Sequence, residues 1–422
     1  MNVHDSEIIA GILESEGFSF SENPESADVI LLISCAVREH AETRVLGRAA
    51  QLGGQWKSRE SGKPLIVLCG CVAQEHGSAL LSRFADIDLV VGPDCYRDLP
   101  ALIRNSSRKS VVEFREGDYT GIEPLRKEFP RAYVTIMRGC NNFCSYCIVP
   151  YVRGRERSRD SNSILSEIRA LADAGYGEIT LLGQNVNSYH DGETSFPELL
   201  HKASLAAGDS WIKFVTSHPK DLGSETVLEM ASSSNICKYL HLPFQSGSDS
   251  VLRMMNRGYS VQEYLDRVAM LREAMPDIVL STDVIAGFPG ESETDFQRTV
   301  DLLESVRFDN AFLFKYSERT GTAACDFDNS VPEEERLSRL NYLQELQRKI
   351  TIEKSRKLLG KTVKILVTGP AKHPGQQAGR TEGNRIVILE AANFIPGSFL
   401  DVTITKADGW THFGEHVESP RN

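Results

Sequence analysis

Three cysteines close together in the sequence are the residues best suited to chemistry. Cys140, Cys144 and Cys147 form a CxxxCxxC triplet in the run Gly139-Cys-Asn-Asn-Phe-Cys-Ser-Tyr-Cys-Ile-Val-Pro150. Thiolates are the standard ligands of iron–sulfur clusters, and three of them suit a 4Fe-4S cubane that keeps one iron open. An open iron can bind a small molecule, so the triplet predicts a reaction site and not merely an electron carrier.

Zinc and unliganded cysteines are the alternatives for this triplet. A structural zinc ion takes four ligands, usually as CxxC pairs or mixtures of Cys and His. No second pair follows the triplet at zinc-ribbon spacing, and three cysteines within eight residues are not the scattered pattern of free cysteines. Both alternatives therefore fit the triplet less well than a cluster does.

The cysteine loop and its continuation resemble the radical S-adenosylmethionine (SAM) superfamily. The aromatic residue Tyr146 precedes the third cysteine, as in that superfamily. The continuation Val149-Pro-Tyr-Val-Arg-Gly-Arg-Glu-Arg-Ser-Arg159 is similar to that of the methylthiotransferases. Within them, Leu182-Gly-Gln-Asn-Val-Asn187 resembles the enzymes that act on isopentenyl-adenosine in tRNA. The resemblance covers essentially the whole chain.

Composition indicates a cytoplasmic, multidomain protein. A chain of 422 residues predicts two to four domains, and three fit the motifs. No apolar run reaches the length of a membrane span, and the amino terminus lacks a signal-peptide pattern. Nine clustered cysteines suit a reducing compartment. The net charge of −11 argues against non-specific coating of nucleic acid, although a local basic face stays possible.

Residues 1–104 are predicted to form an open α/β amino-terminal domain with a parallel sheet. Apolar runs predict strands at 29–33, 65–69 and 88–91, and helical patterns cover 8–13, 37–50 and 72–84. Cys35 and Cys71 come directly after two of the strands, where α/β sheets bind ligands. A polar stretch over 105–127 is predicted to be a linker.

Residues 126–351 are predicted to form a partial (β/α)6 barrel of the radical SAM type. Six strands are expected at 133–137, 178–182, 212–215, 238–242, 279–285 and 310–314, with every motif at a carboxyl end of a strand. A helix over 332–359 leads into a small carboxyl-terminal β-barrel at 354–417, with strands at 363–367, 385–389 and 399–405. Gly379-Arg-Thr-Glu-Gly-Asn-Arg385 resembles the signature of the RNA-binding TRAM domain.

The resemblance implies roles for the residues at the strand ends. Cys140, Cys144 and Cys147 would hold the cluster whose open iron binds SAM, and Tyr146 would pack on the adenine, although its role as a core aromatic is an equal alternative. His218 is interpreted as a structural histidine. The remaining polar and apolar contacts to SAM or substrate are expected from Gly183, Gln184, Asn185, Ser217, Gln245, Ser246 and Ile285.

Alternating arginines after the cysteine loop predict an RNA-binding strip. If the segment is extended, Arg153, Arg155, Arg157 and Arg159 share one face, which suits a tRNA phosphate backbone. Solvated surface charge is the alternative. From residue 352 onward the chain has ten Lys/Arg and seven Asp/Glu, so Arg380 and Arg385 of the last domain are also expected to contact RNA.

The resemblance implies a second, auxiliary 4Fe-4S cluster held by three cysteines in the first domain. Cys35 and Cys71 match two of them, and the third belongs to a Gly-Cys-Gln run directly before the Met-Asn pair that is Met1-Asn2 here. That run is absent, together with the first strand of the sheet, so we expect the sequence to begin at an internal methionine. Cys69 is a poor replacement because it lies inside an apolar strand.

These observations predict a two-cluster radical SAM enzyme that methylthiolates carbon 2 of isopentenyl-adenosine beside the tRNA anticodon. The implied partners are that tRNA and an electron donor such as flavodoxin or ferredoxin, with no membrane and a monomeric state. One alternative is methylthiolation of threonylcarbamoyl-adenosine in tRNA or of a ribosomal-protein aspartate. The other is a non-catalytic RNA-binding iron–sulfur protein.

Overall fold

The structure, a computed structural model, describes residues 1–36, 39–55, 63–105, 107–117, 119–390 and 393–417. The chain divides into two compact units. The first unit comprises Met1–Lys127, Arg138–Phe143 and Cys147–Arg157, and the second comprises Glu128–Met137, Cys144–Tyr146 and Ser158–Asn422. Across the described ranges, no helix combines the length and apolarity needed to cross a membrane.

The first unit is an open α/β fold with a parallel sheet, as predicted, and the structure shows four strands that are adjacent in chain order. The strands are β1 (Val29–Ser34), β2 (Leu65–Gly70), β3 (Leu89–Val91) and β4 (Lys109–Val111). Apolar side chains on both faces of this sheet build two cores, because helices cover a parallel sheet on both sides. These helices are α1 (Asn2–Ser15), α2 (Glu39–Gln55), α3 (Cys71–His76), α4 (Ser78–Arg83), α5 (Leu99–Asn105) and α6 (Val149–Arg153).

Two sequence predictions for this unit need correction, and part of a third lies outside the described residues. The polar stretch 105–127 is not only a linker, because β4 lies in it as a short strand with only Val111 fully buried. The predicted helix 72–84 is two helices, since Gly77 at φ 51° ends α3. Residues 37 and 38, where helix 37–50 was expected to begin, lie outside the described residues, and α2 starts at Glu39.

The second unit begins with the predicted partial barrel, built from two three-stranded parallel sheets. One contains β5 (Arg131–Thr135), β8 (Glu178–Leu182) and β9 (Trp211–Phe214), and the other β10 (Tyr239–His241), β11 (Val279–Ala286) and β12 (Asn310–Lys315). Ile212 of β9 forms a parallel bridge with Ile236, which lies just before β10 in the chain. A short two-stranded sheet pairs β6 (Met137–Arg138) with β7 (Arg157–Ser158).

Amphipathic helices cover the barrel strands, and β8, buried at every position, shows how completely they do so. Capping boxes at Ser195, Ser260 and Ser292 fix where three of these helices begin. The helices are α7 (Ser161–Asp173), α8 (Phe196–Ala207), α9 (Ser224–Ser232), α10 (Asp249–Met254), α11 (Val261–Ala274), α12 (Glu293–Val306) and α13 (Glu333–Arg356).

The carboxyl-terminal part of the second unit is a closed five-stranded barrel in the order β13-β14-β15-β17-β16. Its strands are β13 (Thr362–Pro370), β14 (Gln376–Thr381), β15 (Ile386–Glu390), β16 (Phe399–Asp408) and β17 (Thr411–His416). The predicted β-barrel is confirmed, but β14 and β17 were missed because their sequences are rich in polar residues and glycine. The Trp211 ring packs on Phe399, with centroids 4.8 Å apart.

Candidate functional site

The cysteine loop is held in a constrained backbone conformation. In the first unit, the Cys140 amide donates to the Gly154 carbonyl at 3.1 Å. A Cβ on Gly139 would lie 2.0 Å from the Arg155 carbonyl oxygen, so only glycine fits there. Phe143 has φ 46°, a left-handed value that is uncommon for a bulky residue. All nine cysteines of the chain are thiols, so none of the three is sequestered in a disulfide.

In the second unit, a buried arginine binds the sulfur of Cys144. Arg257 donates from one terminal nitrogen to the Cys144 Sγ at 3.3 Å and to the Tyr146 hydroxyl at 3.3 Å. Its other nitrogens donate to the Pro243 carbonyl and to the Tyr259 hydroxyl, each at 3.2 Å. Arg257 is 5% exposed and Cys144 is 8% exposed. The sulfur is therefore fixed by a cation that solvent does not screen.

The residues after Cys144 are tied to other parts of the second unit. The Ser145 amide donates to the Met255 carbonyl at 3.1 Å, and its hydroxyl donates to the Met254 carbonyl at 2.7 Å. Tyr146 and Ile285 contact the same apolar cluster, whose buried core includes Phe288. The structure thus brings together the two residues that were expected to face the adenine of SAM.

Buried polar atoms without a partner among the described residues lie at three consecutive strand ends of the second unit. They are the Asn185 Oδ1 after β8, the Ser217 Oγ after β9 and the Gln245 Oε1 after β10. All three residues are at most 7% exposed. Unpaired buried polar atoms are costly, so their presence indicates a site that a polar ligand completes. The Asn185 Nδ2 donates to Asp221 at 2.7 Å, which fixes the direction of its amide.

His218 adds a fourth polar atom to these strand ends. Burial, with Arg257, Lys220 and Arg267 contributing, lowers the pKa of His218 to about 2, so its ring is neutral. The His218 Nδ1 accepts a hydrogen bond from the Lys220 amide at 3.2 Å, which leaves the proton on Nε2. That Nε2–H is buried and has no partner among the described residues. The interpretation of His218 as purely structural therefore misses an available donor.

The other strand-end residues have different surroundings. A Cβ on Gly183 would lie 2.5 Å from the Met137 Cγ, so glycine permits this close approach. Gln184 is half-buried. Ser246 is buried with its hydroxyl 3.4 Å from that of Thr299, which leaves it less available for a ligand than Gln245. Gln245 itself has φ 66°, an uncommon value for a residue other than glycine.

In the first unit, Cys71 contacts a second buried arginine. The Arg153 Nε donates to the Cys71 Sγ at 3.1 Å, and another Arg153 nitrogen donates to the Asp5 carboxylate at 2.5 Å. Although burial favours the neutral carboxyl, Arg153 and Arg138 hold the pKa of Asp5 below its usual value. Cys71 starts α3 directly after β2, and Cys35 follows β1, the strand that pairs with β2.

The Met1 amino group interacts electrostatically with both cysteines. Burial lowers its pKa, and its charged or titratable neighbours are Asp5, Arg153, Cys35 and Cys71. Cys69, in contrast, is fully buried in β2 among apolar side chains, and burial raises the pKa of its thiol. Cys71 differs from Cys69 in that its sulfur contacts the Arg153 guanidinium.

The predicted strip of alternating arginines is wrong as a continuous exposed face. Residues Val149–Arg153 are helical, and Arg153 is 4% exposed with its charge bound to Asp5. Arg157 pairs with Asp94 at 2.9 Å and Arg159 with Glu167 at 2.5 Å. Arg155 alone of the four is exposed. The period-two spacing failed because a helical turn interrupts the extended segment.

The two arginines of the carboxyl-terminal barrel differ from each other. The Arg385 guanidinium pairs with Asp309 at 2.5 Å within the second unit and is 15% exposed at its side chain. Arg380 contacts the backbone and side-chain oxygens of Asn384 at 3.5 and 3.4 Å. Burial and the neighbouring Arg131 lower the pKa of Arg380. Arg385 therefore ties the barrel to the rest of its unit, whereas Arg380 is a cation beside another cation.

Sequence reasoning missed Asp5, Arg257 and Tyr259, and it gave Arg153 the wrong role. Arg257 and Tyr259 stand in Met255-Asn-Arg-Gly-Tyr259, just after a short helix. A glycine-containing turn after a helix is ordinary, so nothing in its spacing marked a buried arginine. Asp5 lies in α1 among buried residues, which is the one available signal, because a carboxylate on a buried helix face needs a partner.

Three family models match consecutive parts of the chain. The radical SAM superfamily matches residues 134–303, the uncharacterized protein family UPF0004 matches residues 1–92, and the TRAM domain matches residues 356–417. Among solved structures, the radical SAM methyltransferase TsrM from Kitasatospora setae has a TM-score of 0.58 at 15% identity, covering 90% of this chain and 76% of that chain. At that identity the likeness shows the fold alone.

Full-length relatives are much more similar. A protein of Parabacteroides distasonis named tRNA-2-methylthio-N(6)-dimethylallyladenosine synthase is 45% identical, over 99% of this chain and 93% of the relative. The synthase of that name from Porphyromonas gingivalis is 44% identical over 100% and 93%, and that from Chlorobium chlorochromatii 43% over 99% and 96%. With the three matching domains in the same order, the chain belongs to the radical SAM tRNA methylthiotransferase family.

Proposed function

We propose that this enzyme methylthiolates carbon 2 of isopentenyl-adenosine, the base 3′ of the tRNA anticodon. The observation that carries the proposal is 43–45% identity, over nearly the full length of both chains, to synthases of 2-methylthio-N(6)-dimethylallyladenosine in tRNA. Dimethylallyl and isopentenyl name the same substituent here. We assign the reaction to the cytoplasm and to a monomer, with flavodoxin or ferredoxin as the class of electron donor.

The described residues fit a 4Fe-4S cluster and SAM. Cys140, Cys144 and Cys147 would hold the cluster, which when bound supplies the electron that cleaves SAM to a 5′-deoxyadenosyl radical. Arg257 holds the Cys144 sulfur in place and offsets thiolate charge. The unpartnered atoms of Asn185, Ser217, His218 and Gln245 suit the hydroxyl, amino and carboxylate groups of SAM.

We also propose an auxiliary 4Fe-4S cluster in the first unit. Cys35 and Cys71 would supply two of its thiolates. Two features support this: Arg153 donates to the Cys71 sulfur, and Cys35 follows β1, the strand that pairs with β2 directly before Cys71. Arg153 would offset thiolate charge there, while Asp5 orients its guanidinium.

Nucleoside mass spectrometry tests the proposed function. Anaerobically reconstituted protein is reduced and incubated with SAM and tRNA that contains isopentenyl-adenosine. The expected product is the 2-methylthio nucleoside together with 5′-deoxyadenosine. Modification of threonylcarbamoyl-adenosine or of a ribosomal-protein aspartate would instead support the alternative substrates. Absence of 5′-deoxyadenosine would support a non-catalytic RNA-binding protein.

A further inference from the structure

Phe143, Tyr151 and Arg155 form an aromatic–arginine cluster within the first unit. The Phe143 and Tyr151 rings meet edge to face, with centroids 6.1 Å apart and planes at 90°. The Arg155 Cζ lies 4.3 Å from the centroid of the Phe143 ring. Tyr151 is 49% exposed, and Arg155 is exposed as well. Two rings and a guanidinium plane are thus presented together at the surface.

The backbone holds this cluster in place. Phe143 has an uncommon φ of 46°, and Cys140 and Asn141 before it are fastened to residues 154–156. The Asn141 side chain accepts from the Glu156 amide at 3.2 Å and donates to the Glu156 carboxylate at 3.3 Å. Such a surface binds with little ordering cost, because its conformation is set before a partner arrives.

We propose that the aromatic–arginine cluster is a stacking platform for an unpaired base of the RNA loop, next to the adenosine that reacts. The proposal rests on the proposed function, since it needs an RNA loop as substrate. Single-stranded bases are recognised by stacking on aromatic rings and on guanidinium planes. Phe143 lies between Cys140 and Cys144 in the chain, so the platform belongs to the loop that carries the chemistry.

The neighbouring arginines favour a base over a phosphate as the ligand of this cluster. Arg153, Arg157 and Arg159 are each committed to a carboxylate, so they do not extend Arg155 into a strip that follows the RNA backbone. A single exposed cation on a ring face is typical of stacking with one phosphate contact at most. An enzyme that acts on one loop base must also separate it from its neighbours, and a platform that holds a neighbour does so.

Fluorescence of a modified RNA hairpin tests the platform. Hairpins with isopentenyl-adenosine in the loop carry 2-aminopurine at the 5′ or the 3′ neighbour, and full-chain wild-type protein is expected to quench one of the two. Tyr151→Leu should abolish the quenching and weaken binding roughly 5- to 100-fold, as the loss of one stacked base does. Tyr151→Phe keeps the ring and should retain both.

A salt series and a control variant distinguish the contribution of base stacking to binding from that of charge. Arg155→Met should lower the slope of log affinity against log salt by about one, whereas Tyr151→Leu should leave the slope unchanged. Phe20 and Lys127 form a matched control pair in the first unit, with Phe20 50% exposed and the Lys127 Nζ 5.1 Å from its ring centroid. Phe20→Leu should change neither quenching nor affinity.

An abasic hairpin decides the assignment. Removing the quenched base should weaken binding to wild-type protein by the same factor as Tyr151→Leu, and should have little further effect on that variant. The proposal would be overturned if the abasic site and Tyr151→Leu weakened binding additively. It would also be overturned if wild-type protein and Tyr151→Leu quenched the fluorescence equally. If Tyr151→Leu does not fold by circular dichroism, Phe143→Leu takes its place. If the abasic site and Tyr151→Leu are non-additive but wild-type protein forms no methylthio nucleoside, the proposed function is refuted and the stacking platform is retained.

Discussion

Each unit of the chain buries one arginine against a cysteine sulfur, and the two arginines differ in what balances their charge. Arg153 in the first unit lies 3.1 Å from the Cys71 Sγ, and Arg257 in the second lies 3.3 Å from the Cys144 Sγ. Arg153 also binds the fully buried carboxylate of Asp5. The remaining partners of Arg257 are a carbonyl and two tyrosine hydroxyls, which are neutral.

This difference indicates whether each buried arginine has a counter-charge before a cluster binds. A buried charge is costly unless an opposite charge pairs with it, and hydrogen bonds to neutral groups offset only part of that cost. Arg153 meets its counter-charge within the folded chain. For Arg257, no carboxylate of the described residues forms an ion pair, so the thiolates that hold a cluster would supply the missing charge. We infer that cluster binding changes the free energy of unfolding of the second unit more than that of the first.

The largest effect should separate the two cysteine sets by function. Cys140→Ala, Cys144→Ala and Cys147→Ala are each expected to abolish SAM cleavage, because a cubane that lacks one ligand cannot present its open iron correctly. Cys35→Ala and Cys71→Ala should retain SAM cleavage and lose methylthiolation. Chromatography of 5′-deoxyadenosine measures the first property and nucleoside mass spectrometry the second. Production of 5′-deoxyadenosine by any variant of the triplet would contradict the assignment.

The second prediction concerns the ligand count of the first unit. Cys35→Ala combined with Cys71→Ala should lower the iron content of the reconstituted protein by about four, while the protein still cleaves SAM, because the three cysteines of the loop are unchanged. Cys69→Ala is the matched control and should keep the wild-type iron content. A similar loss of iron in Cys69→Ala would show that Cys69 is a ligand of the auxiliary cluster.

The third prediction compares the two arginines in the cluster-free protein. Arg153→Met removes the closest ion-pair partner of the buried Asp5, with Arg138 3.8 Å away, and should cost roughly 3–5 kcal/mol of unfolding free energy. Arg257→Met removes a buried charge and leaves neutral acceptors unpaired, which should cost about 1–3 kcal/mol. Urea unfolding followed by circular dichroism gives both values. Arg348→Met on the exposed face of α13 is the control, and its stability should stay close to that of wild-type protein.

Lowering the pH tests this comparison further, because Asp5 should titrate differently in wild-type protein and in Arg153→Met. The folded-state pKa of Asp5 lies below its usual value, so its ionisation stabilises the fold above the unfolded-state pKa, and this contribution is lost as the pH falls through the folded-state pKa. Without Arg153, burial dominates and the pKa of Asp5 should rise, so protonation relieves the penalty. The stability gap between wild-type and Arg153→Met should therefore narrow on acidification. A constant gap would show that Asp5 is not the cause.

The sequence predicted what depends on local pattern. Apolar runs placed all six barrel strands to within a few residues, and motifs at their ends led to Asn185, Ser217 and Gln245. It did not predict which cations are buried, because that depends on contacts between distant segments. Arg153 and Asp5 are separated by 148 positions, and Arg257 and Cys144 by 113. Neither spacing leaves a periodic signal, so Arg153 was placed on a surface strip and Arg257 was missed.

The smallest expected effect extends the contrast between paired and unpaired cations to the carboxyl-terminal barrel. Burial and Arg131 disfavour the charge of Arg380, and Glu178 and Glu128 offset only part of this, so an RNA phosphate would stabilise the charge, and Arg380→Ala should reduce the salt slope of tRNA binding by about one. Arg385 is already bound to Asp309, which Lys354 also contacts at 2.6 Å. Arg385→Ala should therefore leave the salt slope unchanged and lower stability slightly. Filter binding of tRNA across a salt series compares the two variants. An equal fall in slope for both would mean that Arg385 leaves Asp309 when RNA binds, and that the ion pair does not commit it to the barrel.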